Sequence, residues 1–107
     1  DFIYIKDCIS VILWTLENPK ISGIFNCGTG KAYTFKELIL AMYSSINKSP
    51  NIQYVNMPEN LIDQYQYYTK AEMKKIKEAG YSKKFLKLED GVSNYIQHYL
   101  LKEYPYR

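Results

Sequence analysis

One stretch decides the predicted fold of this chain: Ile24-Phe25-Asn26-Cys27-Gly28-Thr29-Gly30. A short apolar run ends in asparagine, Gly-x-Gly follows, and a helix start signal comes soon afterwards at Thr34. Glycines adopt a positive φ readily and leave room beside the backbone, so the pattern is typical of a strand, a tight turn and a helix. Such a turn can also hold a phosphate, which makes a nucleotide site the first hypothesis.

Neither of the two common phosphate-binding motifs is complete at this turn. The dinucleotide fingerprint G-x-G-x-x-G needs a third glycine where this chain has Tyr33, and no acidic residue follows the next apolar run. A P-loop needs glycine at the position of Phe25 and serine or threonine at that of Ala32. We therefore predict that the turn is structural and that it binds no cofactor.

Hydrophobic periodicity on both sides of the turn predicts alternating strands and helices. The expected strands span residues 2–5, 21–26 and 51–55. The expected helices span residues 7–18, 34–48, 69–80 and 89–102, with a mostly irregular loop and one helical turn between 57 and 69. Short strands that are each followed by a helix favour parallel pairing with helices packed around the sheet. The predicted fold class is therefore α/β, as a single small domain.

Capping and apolar stripes refine these helices. Capping boxes are expected at Thr34-Phe35-Lys36-Glu37 and at Thr69-Lys70-Ala71-Glu72, and Gly80 is expected to end the helix that the second box opens. The helix from Asp7 is apolar nearly all round, so it should be well buried. Two further helices carry apolar stripes, made of Phe35, Leu38, Ile39, Met42 and Ile46 and of Val92, Tyr95, Ile96, Tyr99 and Leu100.

The residue inventory limits the chemistry that this chain can perform. A net charge of +3 is too small to indicate a nucleic-acid partner by itself. His98 is the single histidine, and Cys8 and Cys27 lie in apolar segments without metal-ligand spacing, so we expect two buried reduced thiols and no metal site. No tyrosine has a lysine four residues later, as short-chain dehydrogenases require. We predict no catalytic residue in this chain.

A basic run offers a different kind of function. Lysines that follow a phosphate backbone, with tyrosines that stack on bases, form a platform for single-stranded nucleic acid. Glu72 and Glu78 interrupt the run and Arg107 is the single arginine, so a solvated lysine-rich face is the favoured interpretation. A nucleic-acid-binding module stays open as the non-enzymatic alternative. The run consists of Lys70, Lys74, Lys75, Lys77, Lys83, Lys84 and Lys87.

The most site-like stretch is the aromatic loop Asp63-Gln64-Tyr65-Gln66-Tyr67-Tyr68. Long polar and aromatic loops on a packed scaffold often bind ligands. Tyrosine offers a flat face and a hydroxyl at low entropic cost. On the residues alone, ligand contact and plain surface packing are equal alternatives for this loop.

Several motifs resemble a known family. Asp1-Phe2-Ile3-Tyr4-Ile5-Lys6-Asp7 and the Phe-Asn-x-Gly-Thr-Gly turn are similar to segments of extended short-chain dehydrogenase/reductases that act on sugar nucleotides. The second half is more specific and resembles the ADP-L-glycero-D-manno-heptose 6-epimerases. The motifs are Pro58-x-x-Leu61, Tyr65-Gln66-x-x-Thr69-x-Ala71, Ala79-Gly80-Tyr81, Phe85 and Glu89-x-Gly91-Val92-x-x-Tyr95.

The resemblance runs along essentially the whole chain and implies a fragment of a larger enzyme. Residues 1–107 would be the C-terminal substrate-binding domain, detached from a Rossmann domain that binds NADP and carries the catalytic group. The start at Asp1 without an initiator methionine agrees with a fragment, which should be inactive alone.

The family implies an NADP-dependent epimerase that interconverts ADP-D-glycero-D-manno-heptose and ADP-L-glycero-D-manno-heptose. The pathway would be lipopolysaccharide inner-core biosynthesis, the location cytoplasmic and the enzyme a homo-oligomer without a membrane or nucleic-acid partner. Tyr65 matches the family's substrate-binding tyrosine. Another sugar-nucleotide epimerase or dehydratase of the same superfamily is the runner-up.

Overall fold

The computed structural model describes residues 1–104. The helix Phe35–Ser45 packs against the helix Leu88–Tyr95, and a separate apolar cluster joins the first helix, Ile5–Glu17, to the short helix Lys74–Glu78 through Val11, Met73, Ile76 and Tyr81. Extended and irregular segments connect the helices. The described residues form α1 (Ile5–Glu17), α2 (Phe35–Ser45), α3 (Glu59–Ile62), α4 (Lys74–Glu78), α5 (Leu88–Tyr95) and a π-helix (Ile96–Leu100) that continues α5.

The predicted α/β fold with short parallel strands is wrong, because residues 1–104 contain no β-strand. Ile5 belongs to α1, and the segments at 21–26 and 51–55 leave Ile24 87% and Val55 79% exposed. β-Branched residues favour a strand when a neighbouring strand supplies backbone partners and a packing surface. Here the Ile24 carbonyl instead accepts a hydrogen bond from Nζ of Lys75 at 2.7 Å.

Helix α1 is far less buried than its composition predicts. Val11 is its buried residue, while Ile5, Ile9, Ile12 and Leu16 form an exposed stripe. The described protein has a radius of gyration of 16.8 Å and extents of 49 × 40 × 20 Å. A compact domain of this length would have a radius of about 13 Å. The flat shape therefore leaves one side of α1 without a packing partner among residues 1–104.

The N-terminal cap of α2 and the C-terminal end of α4 agree with the predictions from the sequence. Thr34 accepts from the Glu37 N–H at 3.1 Å, and the Glu37 carboxylate accepts from the Thr34 N–H at 2.7 Å, so the first capping box is confirmed. Gly80 ends α4 with φ of +107°, as predicted. The N–H groups of Gly80 and Tyr81 donate to the carbonyls of Lys77 and Ile76, which is the Schellman arrangement.

Three helix starts and ends differ from the predictions. Asp7 lies inside the first turn of α1, where Oδ2 accepts from the Leu86 N–H at 2.9 Å, rather than capping the helix. Helix α4 begins at Lys74, so the second capping box is wrong. The last helix changes to a π-helix at Ile96, and Tyr95 and Tyr99 stack at 5.7 Å between ring centroids.

Gly91 allows α5 to approach the segment before α1. A Cβ at this position would lie 3.2 Å from Cβ of Tyr4, which is tighter than ordinary contact. The Tyr4 hydroxyl donates to Oδ1 of Asn94 at 2.6 Å across the same junction. Close packing and one hydrogen bond therefore fix the amino-terminal segment on α5.

Candidate functional site

The carboxylate of Asp1 joins the glycine turn to the segment after the aromatic loop. Oδ1 accepts from the N–H and hydroxyl of Thr29 at 2.9 and 2.6 Å. Oδ2 accepts from the N–H groups of Gly30 and Ala71 at 2.9 and 3.0 Å. We call this carboxylate with Thr29, Gly30 and Ala71 the Asp1 hub. The turn amides thus converge on an anion, as they would on a phosphate, and that anion belongs to the chain itself.

The glycines of the turn are needed for different reasons. A Cβ at Gly28 would lie 2.5 Å from Cβ of Ala71 and 2.8 Å from Oδ2 of Asp1, so a side chain does not fit there. Gly30 has φ of +74°, which other residues rarely adopt. The first glycine therefore provides space for the hub, and the second provides its backbone conformation.

Side chains rather than a β-ladder hold residues 24–26 against residues 72–75. Nδ2 of Asn26 donates to the Glu72 carbonyl at 3.2 Å. Nζ of Lys75 lies 4.9 Å from the centroid of the Phe25 ring, in cation–π geometry. The apolar cluster around Ile76 continues this contact, because Phe25 and Ala71 pack on its edge. The turn and the start of α4 therefore form one connected unit.

Tyr65 lies in an exposed loop that is held at one end by the hub. Its side chain is 39% exposed, and its ring meets the Tyr67 ring edge-on at 5.0 Å between centroids. The Tyr67 hydroxyl lies 3.9 Å from Sδ of Met57. Six residues after Tyr65, the Ala71 N–H donates to Oδ2 of Asp1 at 3.0 Å, which fixes the chain shortly after the loop. We call residues 63–68 the Tyr65 loop.

The structure divides the predicted lysine run. Four of its lysines line one cleft of about 570 Å³ together with Lys31 and Tyr33, and no carboxylate lies among the lining residues. Lys75 leaves the run to contact Phe25, and Lys74 pairs with Glu78 at 3.7 Å on the surface. The charge of the run is therefore concentrated at the cleft, whose other four lysines are Lys77, Lys83, Lys84 and Lys87.

The two cysteines are both free, but the prediction that both are buried is wrong. Cys8 is half-buried in α1, and Cys27 is exposed in the turn. Desolvation of the sulfur, followed by the neighbouring Cys8, raises the pKa of Cys27 to about 11. Because the thiolate is the reactive form, Cys27 is a poor nucleophile at neutral pH in spite of its exposure.

Metal binding and membrane crossing can both be assessed from the described residues. Among residues 1–104, no three His, Cys, Asp or Glu side chains come together in a way that could hold a metal ion. No helix in that part of the chain combines the length and apolar character needed to cross a membrane.

Tyr65 was predicted as a site residue from a sequence motif, whereas the Asp1 hub was not predicted. Asp1 entered only as the first residue of a family-like segment, and its partners lie 28 to 70 residues away. The one usable signal is the pair of turn amides in Gly28-Thr29-Gly30, which indicates an anion without indicating which one. A sequence pattern does not reveal that a distant carboxylate fills this role.

No protein-family model matches the chain. The chain is similar to curated proteins named ADP-L-glycero-D-manno-heptose-6-epimerase. The relative from Nitratidesulfovibrio vulgaris (strain DP4) is 45% identical over 106 residues, which are 99% of this chain and 33% of the relative. The relative from Fusobacterium nucleatum is 40% identical over 112 residues, covering 99% of this chain and 34% of its own. The relative from Brachyspira hyodysenteriae is 45% identical over 97 residues, which are 91% of this chain and 30% of the relative.

The chain spans about a third of the length of the curated relatives that it matches. The resemblance carried by the motifs of the second half is thereby confirmed, and identity extends over nearly all of the chain. By its sequence, the chain is similar over nearly all of its length to proteins named ADP-L-glycero-D-manno-heptose-6-epimerase and corresponds to about one third of such a protein.

Proposed function

We propose that the chain is the substrate-binding, C-terminal third of an epimerase that interconverts ADP-D-glycero-D-manno-heptose and ADP-L-glycero-D-manno-heptose. The observation that carries this proposal is 40–45% identity over 90–99% of the chain to proteins with the corresponding name. The proposal includes a role in lipopolysaccharide inner-core synthesis, a cytoplasmic location and a homo-oligomeric enzyme. It also holds that the described third is inactive alone.

NADP is the cofactor in this proposal, and it is assigned to the remainder of the enzyme. The described residues do not fit it, because the N–H groups of Thr29 and Gly30 already bind the Asp1 carboxylate. A dinucleotide phosphate at this turn would have to displace that carboxylate and its four hydrogen bonds. We derive no step of the reaction through the cofactor from this part of the chain.

Tyr65 is the residue that we propose to contact the substrate. Its hydroxyl would donate to an oxygen of the diphosphate or of the sugar. The ring is partly exposed and is held by Tyr67, so the hydroxyl is available without unfolding a core. The role is binding and orientation, because the hydrogen bond leaves the reacting bonds of the sugar unchanged.

The test is the steady-state kinetics of the full-length enzyme with Tyr65→Phe, which keeps the ring contact and removes the hydroxyl. We expect kcat/KM to fall about 5- to 30-fold, which corresponds to about 1–2 kcal/mol, the order for the loss of one hydrogen bond to the substrate. Tyr67→Phe is the matched control in the same loop and should leave kcat/KM nearly unchanged. Unchanged kinetics of Tyr65→Phe would remove Tyr65 from the site.

Turnover of a panel of nucleotide-heptose and nucleotide-hexose substrates tests the activity itself. The proposal requires a clear preference for ADP-heptose, and a preference for a hexose nucleotide would favour the superfamily alternative.

The lysine cleft supports the second candidate function, binding of single-stranded nucleic acid. It predicts oligonucleotide binding that weakens steeply with salt. No binding at low salt would exclude this candidate.

A further inference from the structure

We propose that Asp1 is a positioning residue for substrate binding, because its carboxylate ties the end of the Tyr65 loop to the glycine turn. The inference rests on the proposed role of Tyr65 and adds to it the group that fixes the loop. The carboxylate itself contacts no reacting atom in this scheme. It acts through Ala71 on one side and through Thr29 and Gly30 on the other.

The hub needs a carboxylate rather than another polar group. Three N–H donors and one hydroxyl converge on two oxygens, so each oxygen accepts two hydrogen bonds. Hydrogen bonds to an ionised acceptor are roughly twice as strong as those between neutral groups. In Asp1→Asn the amide has one oxygen and one NH2, so the NH2 would face the N–H groups of Gly30 and Ala71 in one orientation and the N–H of Thr29 in the other, and no N–H can accept from it. The variant therefore keeps the size of the side chain and loses its function.

The hub is close enough to Tyr65 to restrict its position. The Ala71 N–H donates to Oδ2 of Asp1, three residues beyond the end of the Tyr65 loop. Tyr65 precedes Ala71 by six residues, so the two Cα atoms lie within about 22 Å of each other even in extended chain. The side chains of the Tyr65 loop are exposed and make few packing contacts, so its anchored end limits where the hydroxyl can be.

A double-mutant cycle in the full-length enzyme separates positioning from general stabilisation. We expect Asp1→Asn to raise KM for ADP-heptose about tenfold or more, with a smaller change in kcat, as expected when charge-assisted hydrogen bonds that hold a binding loop are lost. Tyr65→Phe should then cost clearly less in the Asp1→Asn background than in the wild-type background. Thr34→Ala is the control, because it removes the α2 cap, whose hydrogen-bond partner is Glu37 and not a residue of the loop, and it should leave the Tyr65→Phe effect unchanged.

Equal effects of Tyr65→Phe in the wild-type and Asp1→Asn backgrounds would overturn the proposal. If Tyr65→Phe has no effect by itself, the proposed role of Tyr65 fails, and amide hydrogen exchange decides the inference separately. Asp1→Asn should then speed exchange at residues 65–71, and unchanged exchange there would refute the anchor. If Asp1→Asn does not fold, Thr29→Val removes the 2.6 Å hydroxyl contact to Asp1 and the local hydrogen bonds with Lys31, keeps the three N–H donors of the hub, and should give the same pattern with smaller amplitude.

Discussion

Gly28→Ala tests whether the hub depends on close approach of the turn to residue 71. The new Cβ would lie 2.5 Å from Cβ of Ala71 and 2.8 Å from Oδ2 of Asp1. Neither neighbour is the free end of a flexible side chain, so the turn and the segment at 71 must separate. The backbone of Gly28 has no positive φ, so the penalty comes from contact rather than from backbone strain.

The magnitude follows from two costs. Overpacking costs about 1–3 kcal/mol. Lengthening or losing a hydrogen bond to the Asp1 carboxylate costs a further 1.5–3 kcal/mol or so. We expect Gly28→Ala to lower the free energy of unfolding of the intact protein by about 3–5 kcal/mol in urea denaturation followed by circular dichroism.

The compensating variant makes this prediction specific. Ala71→Gly removes the Cβ at the shorter of the two distances, so the double variant Gly28→Ala/Ala71→Gly should be more stable than Gly28→Ala alone. Gly80→Ala is the contrasting control, since no atom lies within 4 Å of its Cβ position and φ is +107°. Its cost of about 1–2 kcal/mol comes from backbone strain and has no rescue at residue 71. If Ala71→Gly does not rescue Gly28→Ala, the steric reasoning is refuted.

Two further predictions concern pH. The Thr34 N–H and hydroxyl lower the pKa of Glu37 below its ordinary value of 4.5. The stability that this carboxylate contributes is therefore present above pH 4.5 and declines as the pH falls through the lower pKa of the folded protein. Glu37→Gln should flatten the pH dependence of the free energy of unfolding below pH 5, and an unchanged profile would contradict the capping role. Because its pKa is raised to about 11, Cys27 should be alkylated slowly by iodoacetamide at pH 8.5, as measured by mass spectrometry. Cys8→Ser should move the pH–rate profile of Cys27 to lower pH, because Cys8 contributes to the raised pKa. A Cys27 profile centred near pH 9 in the unsubstituted protein would contradict the raised pKa.

Local signals predicted the elements whose partners lie within a few residues. The capping box of α2 contains all of its atoms between Thr34 and Glu37, and the Schellman end of α4 lies between Ile76 and Tyr81. Both were readable because no distant residue takes part. The strands at 21–26 and 51–55 were wrong for the opposite reason. A strand needs a partner strand, and β-branched residues indicate the preference without supplying the partner.

The burial of α1 is a second case in which a local preference does not identify the packing partner. Its stripe from Ile5 to Leu16 is apolar, so composition predicts burial, but residues 1–104 place a partner only on the side of Val11. Amphipathicity specifies that a face prefers contact and does not specify what is present to cover it. The same reasoning explains Cys27, which lies in an apolar run and is nevertheless exposed.

The two Thr-x-x-Glu sequences show what decides between local and distant partners. At Thr34 the hydroxyl accepts from the Glu37 N–H and the box forms, whereas Thr69 lies five residues before the start of α4 and forms no box. The Ala71 N–H, a donor that a helix from Thr69 would have left unpaired, is bound by the Asp1 carboxylate instead. Helix α4 therefore starts only at Lys74, whose N–H the Glu72 carboxylate accepts.

Helix α4 is therefore shorter than predicted, and residues 69–73 form a non-helical segment that is held on the glycine turn through Ala71. The Tyr-Gln-x-x-Thr-x-Ala motif thus has two parts with different physical roles. Ala71 holds the segment on the Asp1 carboxylate and the turn, and Tyr65 lies exposed on the other side of this anchor. A loop that is anchored at one end and exposed at its aromatic residues can present a hydroxyl to a ligand without disturbing the packing around Ile76.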